Sequence, residues 1–212
     1  MQPSIVPSYA YTFKNLHSFR STFRTNSTNS TSYQPVTANS TRTYQLTDYT
    51  GGVSNATITI TGNQSTINGK AYNEYNYITD LNTETGYYYY SNNLYINRKT
   101  TSLGDDDIPY LNDNVAVGGT WTGSSISPPG TGATATYTGT LMEKGISKTV
   151  NGITFNNVYH TQIVLQYTIS GNALPVQDTD DYYIAKGVGI IEIDTNTSGL
   201  TTKTVIVSYN VK

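Results

Sequence analysis

From Thr41 onward the chain alternates apolar and polar residues in short runs broken by turn residues. Ile58 and Ile60 alternate with Thr57, Thr59 and Thr61. Ala133, Ala135, Tyr137, Gly139 and Leu141 alternate with Thr134, Thr136, Thr138 and Thr140. In the next run Ile163, Leu165, Tyr167 and Ile169 form one face, and His160, Gln162, Val164, Gln166 and Thr168 form the other. A period of two is the mark of a strand with one buried face. Asn68-Gly69 and Asn151-Gly152 are two-residue hairpin signals, because a type I′ turn needs positive φ at both positions. Gly51-Gly52 stops a first strand over 41–48, 71–78 continues as a strand, Asn92-Asn93 divides a Tyr-rich hairpin, and Lys186-Gly187 marks another turn. Val205, Val207, Tyr209 and Val211 predict a terminal strand, and residues 100–114, with Asp105-Asp106-Asp107 and Pro109, read as a connecting loop. About ten strands result. The predicted fold is all-β: a curved, mostly antiparallel sheet, since a strongly twisted meander must curl. Half-barrel, closed barrel and sandwich remain open at this point.

The second half echoes the first. Ser65-Thr66-Ile67-Asn68-Gly69-Lys70-Ala71-Tyr72-Asn73 returns as Lys148-Thr149-Val150-Asn151-Gly152-Ile153-Thr154-Phe155-Asn156. Two similar β-meander units are therefore expected, over about 33–100 and 115–212, in one β domain spanning 33–212. Ahead of it, residues 1–32 read as an arm. Phe13, Leu16 and Phe23 recur at helical spacing beside Lys14, His17 and Arg24, which predicts a short helix packed on the sheet or on an anionic surface. The Asn/Ser/Thr run over 25–32 reads as a linker.

Composition narrows the classes of function. Only 12% of the 212 residues are charged and the formal net charge is -2, so no basic field exists for a nucleic acid. There is no Cys, which excludes disulfides, thiolate metal sites and a Cys nucleophile. The deficit in charge is made up by Thr, Ser, Asn and 20 Tyr, which suit a sheet with one wet face. No stretch approaches the roughly 20 apolar residues of a membrane helix. Met1-Gln2-Pro3 runs into polar sequence without the apolar core of a signal peptide. The expectation is an exported chain, in the periplasm, on the outer-membrane surface or outside the cell, whose leader and any lipid anchor lie ahead of these residues.

Candidate chemistry is sparse. In Tyr87-Tyr88-Tyr89-Tyr90 alternate rings face opposite sides. Tyr88 and Tyr90 are the pair expected to meet a ligand, with Trp121, the one Trp, and with His160 and Gln162 on a polar strand face. Asp105, Asp107 and Asp113 offer oxygens of the kind Ca²⁺ takes, but their spacing is not that of an EF-hand, and the plainer reading is a solvated acidic loop with no metal. No cofactor motif occurs. No Ser elbow accompanies His160, and Glu74, Glu143 and Glu192 make a glycosidase pair only if the fold spaces them suitably. Gly119-Thr120-Trp121 matches the Gly-x-Trp that opens lipocalins, but too little chain follows it for eight ordinary strands.

Three segments carry a resemblance: Ser32-Tyr33-Gln34-Pro35-Val36, Thr66-Ile67-Asn68-Gly69-Lys70-Ala71-Tyr72, and Tyr183-Ile184-Ala185-Lys186-Gly187-Val188-Gly189-Ile190. With them the chain resembles β-rich secreted proteins and lipoproteins of Bacteroidota, some of which are similar to the LolA/LppX-type half-barrel. The resemblance implies a concave face able to hold acyl chains or other apolar molecules, here lined by Tyr and Ile. The expected function is thus a non-catalytic binding or scaffolding protein of the cell envelope or exterior. Its partner would be a lipid or other apolar or amphipathic small molecule. The alternative is a glycan-binding module using surface Tyr and Asn, and a glycoside hydrolase-like enzyme comes third.

Overall fold

The computed structural model describes residues 31–101, 104–125, 133–169 and 172–212. The helix expected over 13–24 lies outside them. Twelve strands follow in order. The first six are β1 (Thr41–Thr47), β2 (Val53–Ile67), β3 (Lys70–Thr79), β4 (Thr83–Ser91), β5 (Leu94–Thr101) and β6 (Gly104–Asn112). The second six are β7 (Thr120–Ser125), β8 (Ala133–Val150), β9 (Ile153–Ile169), β10 (Asn172–Ala185), β11 (Gly189–Thr197) and β12 (Leu200–Asn210).

They form one antiparallel sheet in the order β6-β5-β4-β3-β2-β1-β12-β11-β10-β9-β8-β7. Each strand pairs with its successor, except that β6 and β7 share no ladder, while the first and last strands are sealed together by β1–β12 pairing. The sheet is therefore a nearly closed up-and-down barrel that opens at the middle of the chain. Across the opening Trp121 Nε1 of β7 donates to Pro109 O of β6 at 2.7 Å, and Thr161 Oγ1 of β9 donates to Tyr110 O at 2.7 Å.

The expected loop over 100–114 is corrected by this arrangement, because most of it is strand. β6 pairs with β5, and its Ile108 and Leu111 face the core. Acidic residues and a proline hid it, yet Pro109 is tolerated because the strand lies at the sheet's edge. The other turns agree with expectation: Asn68, Asn92, Asn93 and Asn151 all have positive φ. The echoed segments form the β2–β3 and β8–β9 turns with nearly equal geometry, φ 49° and 75° at Asn68-Gly69 against 48° and 76° at Asn151-Gly152. The hairpins themselves differ. β8 carries three register shifts between Leu141 and Lys148, which bend its tip.

That bend lays the tip over the outside of the barrel. Asn151 Nδ2 donates to Ile206 O at 2.9 Å, and the Phe155 ring lies 5.8 Å from that of Tyr209. Ile190 and Ile191, and likewise Val205 and Ile206, are buried as consecutive residues. A strand buried at neighbouring positions has both faces covered, one by the barrel interior and one by the hairpin tip.

Inside, tyrosine does the filling. Tyr44, Tyr75, Tyr88, Tyr95, Tyr110, Tyr137 and Tyr182 are all buried. The segment before β1 enters this interior: Tyr33 sits 4.3 Å from the Tyr159 ring and 6.4 Å from that of Tyr95, bridging β9 and β5.

Candidate functional site

Alternation along β1 turns Arg42, Tyr44 and Leu46 to one face, and their register partners Ile58 and Ala56 on β2 share it. Tyr75 of β3 and Tyr88 of β4 complete the wall, with rings 4.4 Å apart and stacked. Ile190, Ile193 and Thr204 form the opposite side. Of these, Tyr44, Leu46, Ile58, Tyr75, Tyr88, Ile190, Ile193 and Thr204, together with Tyr77 and Asn97, line a cleft of about 130 Å³. Tyr44 Oη donates to Ile190 O at 2.9 Å and Tyr75 Oη to Asn97 Oδ1 at 2.8 Å, so both hydroxyls are satisfied while the ring faces remain apolar. Burial pushes the Tyr88 hydroxyl up to about 12, against the opposing pull of the nearby Arg42 charge and the Gln34 amide. Burial likewise holds Tyr75, Tyr110 and Tyr182 well above the ordinary phenol range. Around these buried rings an ion has little water to stabilise it.

Arg42 stands in this interior and is 1% exposed. Its Nε donates to Val188 O and its Nη2 to Pro35 O at 2.8 Å, whereas Nη1 has no hydrogen-bond partner. Gln34 is beside it. The amide Oε1 accepts from Tyr110 Oη at 2.7 Å, and Nε2 makes no hydrogen bond of ordinary geometry. No carboxylate pairs with Arg42 among the described residues. Sequence reading passed over both residues. The available signal was an arginine in phase with Tyr44 and Leu46, a charge at an inward-facing strand position.

The outer face holds a second arrangement. The pairing registers align Glu143, His160, Tyr183 and Glu192 in one row across β8 to β11. His160 Nδ1 is 3.0 Å from Glu143 Oε2, and Nε2 is 2.8 Å from Asp181 Oδ1. Its ring stacks on Tyr183 at 4.4 Å, and Lys148 Nζ lies 3.3 Å from the centre of that same ring. Lys148 and Lys203 meet Glu192 at 3.1 and 2.8 Å, and Lys203 also meets Asp194 at 2.8 Å. Burial works against the Lys203 charge, but the Asp194 and Glu192 carboxylates outweigh it and hold that ammonium above its ordinary value. Next to this row a shallow groove of about 390 Å³ is lined by Asp48, Tyr49, Asp181, Asp194, Asn196 and Lys203, among others. Tyr49 stands 63% exposed there. Most of the groove's polar groups are already engaged: Asp48 accepts from Thr50 and Gly52 of its own turn, and Asp181 from His160 and Gln162.

The residues expected from sequence are thus dispersed. Tyr88 lines the interior cleft. Tyr90 is 53% exposed and its ring lies 4.4 Å from buried Tyr95, so the two tyrosines present no pair of surface rings. His160 and Gln162 meet on the outside through Asp181. Trp121 is committed to the barrel opening, against Pro109 O and over Gly139. Asp107 bonds Arg98 and Tyr72, Asp113 accepts from Tyr95, and the side chain of Asp105 lies outside the described residues. Among the described residues no group of three or more His, Asp or Glu is placed to hold a metal ion.

No protein-family model matches the chain, and no curated protein matches it. Solved structures do. A candidate lipoprotein from Parabacteroides distasonis superposes with a TM-score of 0.57 at 12% identity, over 86% of this chain and 100% of that one. A candidate exported protein with a YmcC-like fold from Bacteroides fragilis superposes with a TM-score of 0.55 at 8% identity, over 83% of this chain and 97% of that one. At such identities the likeness is one of fold.

Proposed function

We propose that this chain is a non-catalytic, exported binding protein of the cell envelope that holds one small amphipathic molecule in its tyrosine-lined cleft. The observation that carries this reading is the cleft itself, a concave apolar space with a few polar groups at its margin inside the barrel. Its size limits the ligand. A space of about 130 Å³ suits a single ring or a few carbons, close to the benzene-sized cavities known in protein cores. Long acyl chains would have to leave most of their length outside, so a bulk lipid cargo is not part of the proposal. The fold shared with a candidate lipoprotein and a candidate exported protein supports the assignment to the envelope.

The test is native mass spectrometry of freshly purified protein, with solvent extraction of whatever is bound, beside a Thr204→Phe variant that fills the cleft. A small co-purifying mass present in the parent and lost in the variant is the expected result. A mass that persists in the variant would place the ligand elsewhere.

A second reading, glycan binding, draws on the outer groove, where exposed Tyr49 stands near Asn196 and Asp194. A glycan array on the parent and a Tyr49→Ala variant examines it. Signals that depend on Tyr49 would favour this reading, and their absence would remove it.

A further inference from the structure

Burying a guanidinium without a carboxylate is costly, because its hydration is lost and no opposite charge replaces it. Buried Arg side chains therefore occur with partners. Arg42 has two backbone carbonyls and, among the described residues, no carboxylate, and one of its terminal nitrogens is unpartnered. Gln34 is 6% exposed, and its Nε2 makes no hydrogen bond of ordinary geometry, with the Tyr88 hydroxyl as its neighbour. The two side chains are neighbours. A Cβ built on Gly189 would lie 3.2 Å from Arg42 Nε and 3.6 Å from Gln34 Oε1, so both crowd the same glycine, whose φ of 103° suits no side chain. A buried cationic donor without a partner, Arg42 Nη1, beside an amide whose neighbour is the Tyr88 hydroxyl, describes half of an anion site.

The cleft adjoins it. Tyr44 is the next inward residue after Arg42 on β1, Ile58 is Arg42's register partner, and both line the cleft. Tyr88, also in the lining, feels the Arg42 charge and the Gln34 amide. We propose that Arg42 and Gln34 recognise a carboxylate, and that the cleft's ligand is a small carboxylate amphiphile with its apolar body against Tyr44, Tyr75 and Tyr88. This deepens the interior-cleft reading and rests on it. The carboxylate supplies the missing counter-charge, accepts from Nη1 and Nε2, and explains why an arginine is kept at an inward strand position where an apolar residue would be cheaper to bury. Charge-assisted bonds of this kind discriminate strongly, by about tenfold or more over a neutral isostere.

The experiment is isothermal titration calorimetry of the full chain in chloride-free buffer with three ring-sized probes: benzoate, benzyl alcohol and benzylammonium. Benzoate is expected to bind at least about tenfold more tightly than benzyl alcohol, with no binding of benzylammonium. Two variants locate the effect. Arg42→Met should abolish the preference for benzoate. Because removing Arg42 also removes its bonds to Pro35 and Val188 and risks the fold, Gln34→Glu is the second. It keeps an acceptor for Tyr110 and supplies an internal carboxylate to Arg42, so the melting temperature should rise while benzoate binding is lost. Equal binding of benzoate and benzyl alcohol would overturn the carboxylate site and leave the cleft reading standing. No binding of any probe, together with a clean apo mass, would overturn both. Saturable stabilisation by chloride that competes with benzoate would reduce the site to one for a bare inorganic anion. Benzoate preference surviving in Gln34→Glu would place the anion elsewhere and overturn the proposal.

Discussion

Two glycines show how individual residues shape this sheet. Gly86 is the register partner of Tyr75, and Gly139 that of Trp121. A Cβ on either would come within 2.1 Å of the facing ring. Each aromatic lies flat across its glycine, a pairing that shields backbone and lets the sheet curve. Gly86→Ala and Gly139→Ala should each cost about 1–3 kcal/mol in urea unfolding, the range for forcing extra atoms into a packed core. Values near zero would mean that the rings move aside freely. The buried tyrosines set the response to alkali. Tyr88 is pushed up to about 12 by burial, and Tyr75, Tyr110 and Tyr182 are raised for the same reason. Below pH about 10 these phenols are neutral in both folded and unfolded chains, and stability is fully present. Between about 10 and 12 the unfolded chain ionises and the folded one resists, so stability falls by about 1.4 kcal/mol per pH unit per such tyrosine. The last part of the tyrosinate absorbance, that of the buried rings, is expected to rise in one alkaline step together with loss of near-ultraviolet dichroism. Ionisation of all 20 tyrosines with dichroism intact would show that these rings are open to water.

At the scale of the element, the two Asn-Gly turns form a natural comparison. Both need positive φ at Asn, so an alanine at either position strains the turn. Asn151 does more, since its side chain also ties the β8–β9 tip to β12 through Ile206 O, and the ring contact between Phe155 and Tyr209 depends on that tip. Asn151→Ala should therefore destabilise by about 1 kcal/mol more than Asn68→Ala, the worth of one hydrogen bond. Equal losses would show that the tip lies on the barrel without being held by Asn151. Phe155→Ala should cost about 3–5 kcal/mol, as for a buried aromatic in a well-packed core. The β6 strand makes a different point. Its Asp-Asp-Asp-Ile-Pro sequence reads as a loop by local chemistry, yet pairing with β5 and burial of Ile108 and Leu111 outweigh that preference.

For the whole molecule the decisive feature is where the barrel is sealed and where it opens. First and last strands are joined by a full ladder, whereas β6 and β7 meet through side chains such as Trp121. Amides of β6 and β7 should exchange with solvent sooner than those of β1 and β12, and Trp121→Phe should widen that gap by removing the bond to Pro109 O. Uniform exchange around the barrel would contradict an opening there. Much of this was legible in the chain. Alternation and Asn-Gly turns determined the all-β class, the meander order and most strand faces, because a period of two and a positive φ are local properties of residues and backbone. The fourfold tyrosine run likewise announced that Tyr88 would face the same side as Tyr90. Closure was decided only in three dimensions, since the β1–β12 pairing joins the first strand to the last and has no local signature. So was the folding of the β8–β9 tip over the outside, which depends on bulges that shift the register between Leu141 and Lys148. The candidate site belongs to the same category. Tyr88 was singled out from its strand as one of a pair of ligand-facing rings, whereas it is buried apart from exposed Tyr90, and Arg42, Gln34 and Gly189 come from distant segments. Only tertiary contact brings a cation, an amide and a tyrosine cleft together, and only their burial leaves Arg42 Nη1 without a partner.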